Sequence, residues 1–199
     1  SVPTIVFRED WETGFDGWDW NTGWDPTMNG GVKCGATLQN TGTAASQGTC
    51  ALHLHFPQNA DDAIYPMQGI PTQTGEVHAR FYIKYSSNFQ WNAPGAKVFY
   101  LRSNNSAGDW SWGVQLGSEP EGSVTGPGIF YMDLRSHQVR LPYNTGTAAD
   151  GRILQGQWYA VELMAIPNTL GQSNGAVALW INGRQVMDIM QRLNKETGG

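Results

Sequence analysis

The chain has 199 residues, 12 Lys and Arg against 17 Asp and Glu, and a formal net charge of -5. That length suits one domain with a sizeable core, 1–199, and the acidic balance argues against nucleic acid as the partner. No apolar run nears the ~20 residues that span a membrane, so no membrane role is expected.

Short alternating runs separated by Gly- and Pro-rich turns, with 25 Gly and 10 Pro, are the pattern of an all-β sandwich or barrel. Thr4 to Arg8 reads as the first strand. The stretch from Arg8 to Asp25 then holds six carboxylates and one cation. Glu9, Asp10 and Glu12 lie here, and Asp188 closes the last strand. Hard oxygen ligands from terminal strands suit a structural calcium ion, and a solvated acidic turn explains the same residues. Asn21 to Gly48 is the longest irregular stretch. Trp18, Trp20 and Trp24 sit in or beside it, and with Trp91 they are candidate platforms for sugar rings.

Cys34 and Cys50 are the only cysteines. A lone pair in a Gly/Thr/Ser-rich segment favours a disulfide over a zinc site, which normally needs four ligands. A disulfide implies an exported protein, secreted or periplasmic, and a monomer is expected.

Ala51 to Phe56, "ALHLHF", alternates Leu52, Leu54 and Phe56 with His53 and His55. Glu76 to Ser86 alternates Val77, Ala79, Phe81 and Ile83 with His78, Arg80, Tyr82 and Lys84. From Glu76 to Arg102 there are four cations and one carboxylate, a basic strip in an acidic chain. Lys97 to Ser103 sets Phe99 and Leu101 against Tyr100 and Arg102. Trp110 to Leu116 carries Gln115, with Trp110 and Trp112 on the face of Val114 and Leu116. Gly128 to Arg135 sets Phe130, Met132 and Leu134 against Tyr131, Asp133 and Arg135. Trp158 to Ala165 and Ala176 to Ile181 follow, with Trp158 and Trp180 read as structural. Asn182-Gly183 signals a tight hairpin into Gln185 to Met187, although Val186, Ile189, Met190 and Leu193 also fit a short helix. Successive side chains of a strand point to opposite faces. If these strands are neighbours, they build one polar face rich in His, Arg, Tyr and Lys.

Three segments carry a family resemblance. "FYIKYSSNFQW" with the Gly and Lys of "PGAK" resembles the middle strands of concanavalin A-like jelly-roll polysaccharide lyases of the alginate and glucuronan type. "GQWYAVELMAIPNTLGQSNGAVALWINGRQVMD" is similar to their later signature, which also occurs in lectin-like domains. "FREDWETGFDGW" is similar to the start of many secreted concanavalin-like sugar-binding domains. The resemblance spans roughly Val77 to Asp188. It implies a jelly roll of two antiparallel sheets that recognises a polysaccharide, most of all an anionic one.

Two functions follow from the residues. A lyase removes the proton beside a uronate carboxylate, so it needs cations to neutralise that group and a base and an acid to move protons. His78, Arg80, Tyr82 and Lys84 contain these types, with Tyr131 and His53 as further proton-transfer candidates. His55, Lys97, Tyr100, Arg102, Gln115, Arg135 and Trp91 are candidate substrate contacts. The alternative is a carbohydrate-binding module without catalysis. A retaining sugar hydrolase is not expected, because no strand carries paired carboxylates at the spacing it needs.

Overall fold

The computed structural model describes residues 5, 7–13, 19–20, 30–39, 44–54, 66–67, 75–91, 96–102, 111–118, 127–133, 138–140, 151–166, 169, 172 and 174–192. They fall into two units, Ser1–Thr72 and Gln73–Gly199. Among them, no helix is long and apolar enough to cross a membrane.

In the first unit, β1 (Asp19–Trp20) pairs with β4 (Pro66–Met67), and β2 (Gly30–Cys34) pairs with β3 (Cys50–Leu54), both antiparallel. A one-turn helix, α1 (Gly35–Gln39), follows β2 and buries Leu38. Cys34 and Cys50 face each other across the β2–β3 ladder and form a disulfide, as expected. Ile5, Phe7 and Arg8 are not in a strand, a correction to the expected first strand; Ile5 is 75% exposed. The stretch expected to be irregular contains β2 and α1, which are too short to leave a periodic signal.

The carboxylates of "REDWETG" serve the backbone. Glu9 accepts from the Trp11 amide and Asp10 from the Glu12 amide. Glu12 Oε1 accepts from the amides of Thr49 at 2.7 Å and Cys50 at 2.8 Å, and Oε2 accepts from the Thr49 hydroxyl at 2.7 Å. These bonds, the Thr49 hydroxyl foremost, hold the Glu12 carboxyl below its ordinary pKa. Gly48, at φ 67°, adopts the left-handed conformation and leaves no room for a Cβ against the Glu12 carboxylate.

The second unit holds two sheets. One runs β13 (Arg184–Arg192), β12 (Gly175–Ile181), β11 (Trp158–Ile166), β5 (Val77–Lys84). The other runs β10 (Arg152–Ile153), β8 (Gly128–Asp133), β7 (Ser111–Ser118), β6 (Ala96–Arg102), with β9 (Gln138–Arg140) also on β8. All pairs are antiparallel. Asn182 (φ 51°) and Gly183 (φ 78°) form the tight turn from β12 to β13 that the Asn-Gly pair signals. The Asn182 amide donates to the Ala160 carbonyl and its side-chain oxygen accepts from the Ala160 amide, so the turn also extends the β11 ladder. The segment after it is a nine-residue strand, which settles the strand-or-helix alternative.

One apolar cluster is shared by both sheets. Val161, Leu163, Ala165, Val177, Leu179, Ile181, Val186 and Met187 come from the first. Val114, Leu116, Phe130, Met132 and Ile153 come from the second. Phe81 of β5 stacks on Phe99 of β6 with centroids 4.8 Å apart, which links the edges of the two sheets. β11 alternates half-buried and buried along its whole length, as a strand with one core face must.

Trp91 closes one end of this core, a correction to its reading as a sugar platform. It is fully buried and packs edge-on against Tyr85 and Phe89. Gln155 and Gly156 tie down the same corner by donating to the carbonyls of Phe89 and Tyr85. The Tyr85 phenol, buried here, is pushed well above its ordinary pKa by desolvation.

Candidate functional site

The expected single polar face does not form. His78, Arg80, Tyr82 and Lys84 lie on β5 of one sheet; Lys97, Tyr100 and Arg102 on β6, Gln115 on β7 and Tyr131 on β8 belong to the other. Each sheet turns one face to the common core, and its other face points away from it. His53 is on β3 in the first unit, opposite Gly31. His55 and Arg135 lie outside the described residues, as do Trp18 and Trp24.

Glu9, Asp10 and Glu12 belong to the first unit and Asp188 to the second. Among the described residues no group of three or more His, Cys, Asp or Glu is placed to hold a metal ion. Both Glu12 oxygens already receive protein donors, so this carboxylate fits a hydrogen-bonded clasp better than a calcium ligand.

On the outer face of the β5 sheet the edge strand β5 is exposed, whereas Ala176 and Ala178 of β12 are buried. His78 Nε2 meets Glu76 at 2.8 Å and its Nδ1 meets Glu162 of β11 at 3.3 Å, all three groups well exposed. The hydrogen bond to Glu76 raises the His78 pKa most; desolvation opposes it, and the hydrogen bond to Glu162 adds to the rise. Arg80 donates to the Tyr82 hydroxyl at 3.1 Å, with its guanidinium carbon 5.5 Å from the ring centroid. In the register His78 faces Met164, Arg80 faces Glu162, Tyr82 faces Ala160 and Lys84 faces Trp158. Trp180 continues the Arg80–Glu162 row. Trp158 and Trp180 are half-buried and on this polar face, a correction to their reading as structural residues. The even alternation of β11 and β12 contains this result, since both share parity with Glu162 across the ladder.

The outer face of the β8 sheet is different. Lys97, Gln115, Tyr131 and Arg140 are successive partners in one row across β6, β7, β8 and β9. Tyr100, Gly113, Asp133 and Gln138 form the next row. Lys97 reaches its row because β6 is irregular between Lys97 and Phe99. Val98 and Phe99 both pack on the core, so Lys97 and Tyr100, three residues apart, fall in rows on the same side. Ile129 and Tyr131 alternate with Phe130 and Met132, which are in the core cluster. They therefore point away from it, yet Ile129 is 2% and Tyr131 8% exposed. This face is sheltered at β8, whereas Tyr82 on the other sheet is 37% exposed.

Arg140 extends the row beyond the residues picked out in sequence, and Asp133 takes the polar-face position that the alternation of its strand gives it. Arg140 was legible only through the short alternation "QVR", three residues with no apolar partner row.

No family model and no curated protein matches the chain. Solved structures do. The fold is similar to that of alginate lyase Aly36B. The free enzyme aligns at 18% identity with a TM-score of 0.44 over 60% of this chain. Two double variants of that enzyme align at 19% and 16% identity, with TM-scores of 0.45 and 0.47. The first is in complex with alginate tetrasaccharide and the second with alginate trisaccharide. The alignments cover 53% to 55% of those chains, so this chain matches about half of their length.

Proposed function

We propose that the second unit is a jelly-roll sandwich of the concanavalin A-like kind that binds an acidic polysaccharide and cleaves it by β-elimination. The outer face of the β8 sheet is the reacting surface. The observation that carries this reading is the row Lys97, Gln115, Tyr131, Arg140, whose third member is sheltered although it points away from the core. Three strand spacings, about 14 Å at roughly 4.8 Å each, separate Lys97 from Arg140. A cation at each end of a row suits a polymer that bears a carboxylate on every ring.

The chemistry needs three things from such a row. A cation must oppose the uronate carboxylate, whose charge grows as the adjacent carbon loses its proton. A group must take that proton. The electron pair left on carbon then forms the C4=C5 double bond while the C4–O bond breaks, and an acid protonates the departing glycosidic oxygen. Tyr131 is the proton-transfer group in this scheme. Lys97 and Arg140 oppose carboxylates, and the Gln115 amide hydrogen-bonds the sugar between them. The sheltered position strengthens every such interaction relative to open water. The disulfide of the first unit is consistent with work outside the cytoplasm.

The test follows ultraviolet absorbance during incubation with a panel of uronate polymers, because elimination creates a conjugated unsaturated uronate. The expected result is a rising signal, reduced ~100-fold or more by Tyr131→Phe with binding retained. Binding by the parent with no product on any polymer would leave the carbohydrate-binding module standing and remove the lyase. No binding at all would remove both.

A further inference from the structure

The β5 row remains unused by the chemistry above, and its charges are not evenly paired. Glu76 and Glu162 both pair with His78, although Glu162 lies opposite Arg80 in the register. Arg80 and Lys84 make no ion pair with any described carboxylate, and Tyr82 stands between them on the same face. Arg80 is not loose: its hydrogen bond to the Tyr82 hydroxyl holds the guanidinium beside the ring. Tyr82 is one of the few large apolar side chains exposed among the described residues. Its ladder partner is the small Ala160. Half-buried Trp158 adjoins, opposite Lys84.

We propose that Arg80, Tyr82, Lys84 and Trp158 form a second binding site for acidic polysaccharide, separate from the reacting face and non-catalytic. The two aromatic rings take the C–H face of a sugar ring, and the two cations take its carboxylate or sulfate. Two cations that make no ion pair with a described carboxylate, beside exposed Tyr82 and half-buried Trp158, favour an acidic sugar over a neutral one. Placement on a different sheet separates this site from the reacting row. The second site therefore acts as an anchor that raises the local concentration of substrate, as any linked pair of sites does. The proposal shares with the function above only the class of polymer.

The experiment uses the full chain carrying Tyr131→Phe, so that no substrate is consumed, and titrates it calorimetrically with an alginate oligosaccharide. Two oligosaccharides per chain are expected. Arg80→Gln with Lys84→Gln is expected to reduce this to one and to weaken binding to the polymer by ~10-fold or more. Tyr82→Ser and Lys84→Gln alone, both at surface positions, carry the same expectation in smaller measure. A stoichiometry and affinity unchanged by the double substitution at a native melting temperature overturns the second site, whereas a single ligand lost on that substitution keeps it and removes binding at the reacting face. The lyase assay is read separately on the chain with Tyr131 intact. Absence of unsaturated product there removes the lyase and leaves this titration with its own answer.

Discussion

Replacing Gly128 by alanine tests how tightly the first residue of β8 is locked to the core. The backbone accepts the change, because Gly128 is not among the positive-φ glycines. Elsewhere such a substitution stabilises by about 0.4–1 kcal/mol through the unfolded chain. Here the added methyl meets the Trp91 ring at 2.6 Å and 2.8 Å, where ordinary contact begins near 3.4 Å. The indole must therefore retreat by most of an ångström. It is fully buried and held edge-on by Tyr85 at 5.1 Å and Phe89 at 5.2 Å, so no free space receives it. Overpacking of this kind costs about 1–3 kcal/mol. Set against each other, the two terms leave a net loss of up to about 2.6 kcal/mol. For a chain of this size that is a fall in melting temperature of up to roughly 10 °C. The same strain enters β8 three residues before Tyr131, so lyase turnover should fall with it. Differential scanning calorimetry reads the first effect and product absorbance the second. Trp91→Leu alone destabilises by leaving a void, and combined with Gly128→Ala it should cost less than the sum of the two. A melting temperature at or above that of the parent for Gly128→Ala, or strict additivity in the double variant, would refute the packing argument.

Three further outcomes are expected. Glu12→Gln lowers the melting temperature at neutral pH, since three donors lose a charged acceptor. The difference from the parent shrinks as pH falls through the depressed folded pKa of Glu12, and thermal scans between pH 7 and pH 3 measure it. Excess chelator leaves the parent melting curve unchanged, because the Glu12 oxygens already have donors; a lowered curve with calcium found by elemental analysis would restore the ion expected on Glu9, Asp10, Glu12 and Asp188. His78 is held protonated by Glu76 and Glu162, so its contribution is fully present below its ordinary pKa of 6.5 and is lost as pH rises through its higher folded value. Parent stability therefore falls over that window, and His78→Gln flattens the profile.

The strands that carry a clear period of two were legible. β5, β8, β11 and β12 appear within two residues of their expected bounds, because one buried face leaves an alternating record in the sequence. The short pieces β2, β9, β10 and α1 were not, since two to five residues cannot show a period. Trp91 was misread for the same reason: its segment folds over the core end as a loop, where burial follows no repeat. The larger limit was topological. Alternation tells which residues of one strand share a face, but it does not say which strands share a sheet. β5 and β6 are close in sequence and carry similar polar rows, yet they pair with β11 and β7 in different sheets. The irregularity at Val98 compounds this. Strict alternation sets Lys97 with Phe99 on the core side; one extra residue moves it into the row of Gln115 and Tyr131. The alternation that looked like one polar floor therefore belongs to two sheets, with exposed Tyr82 on the edge strand β5 of one and buried Tyr131 on the inner strand β8 of the other.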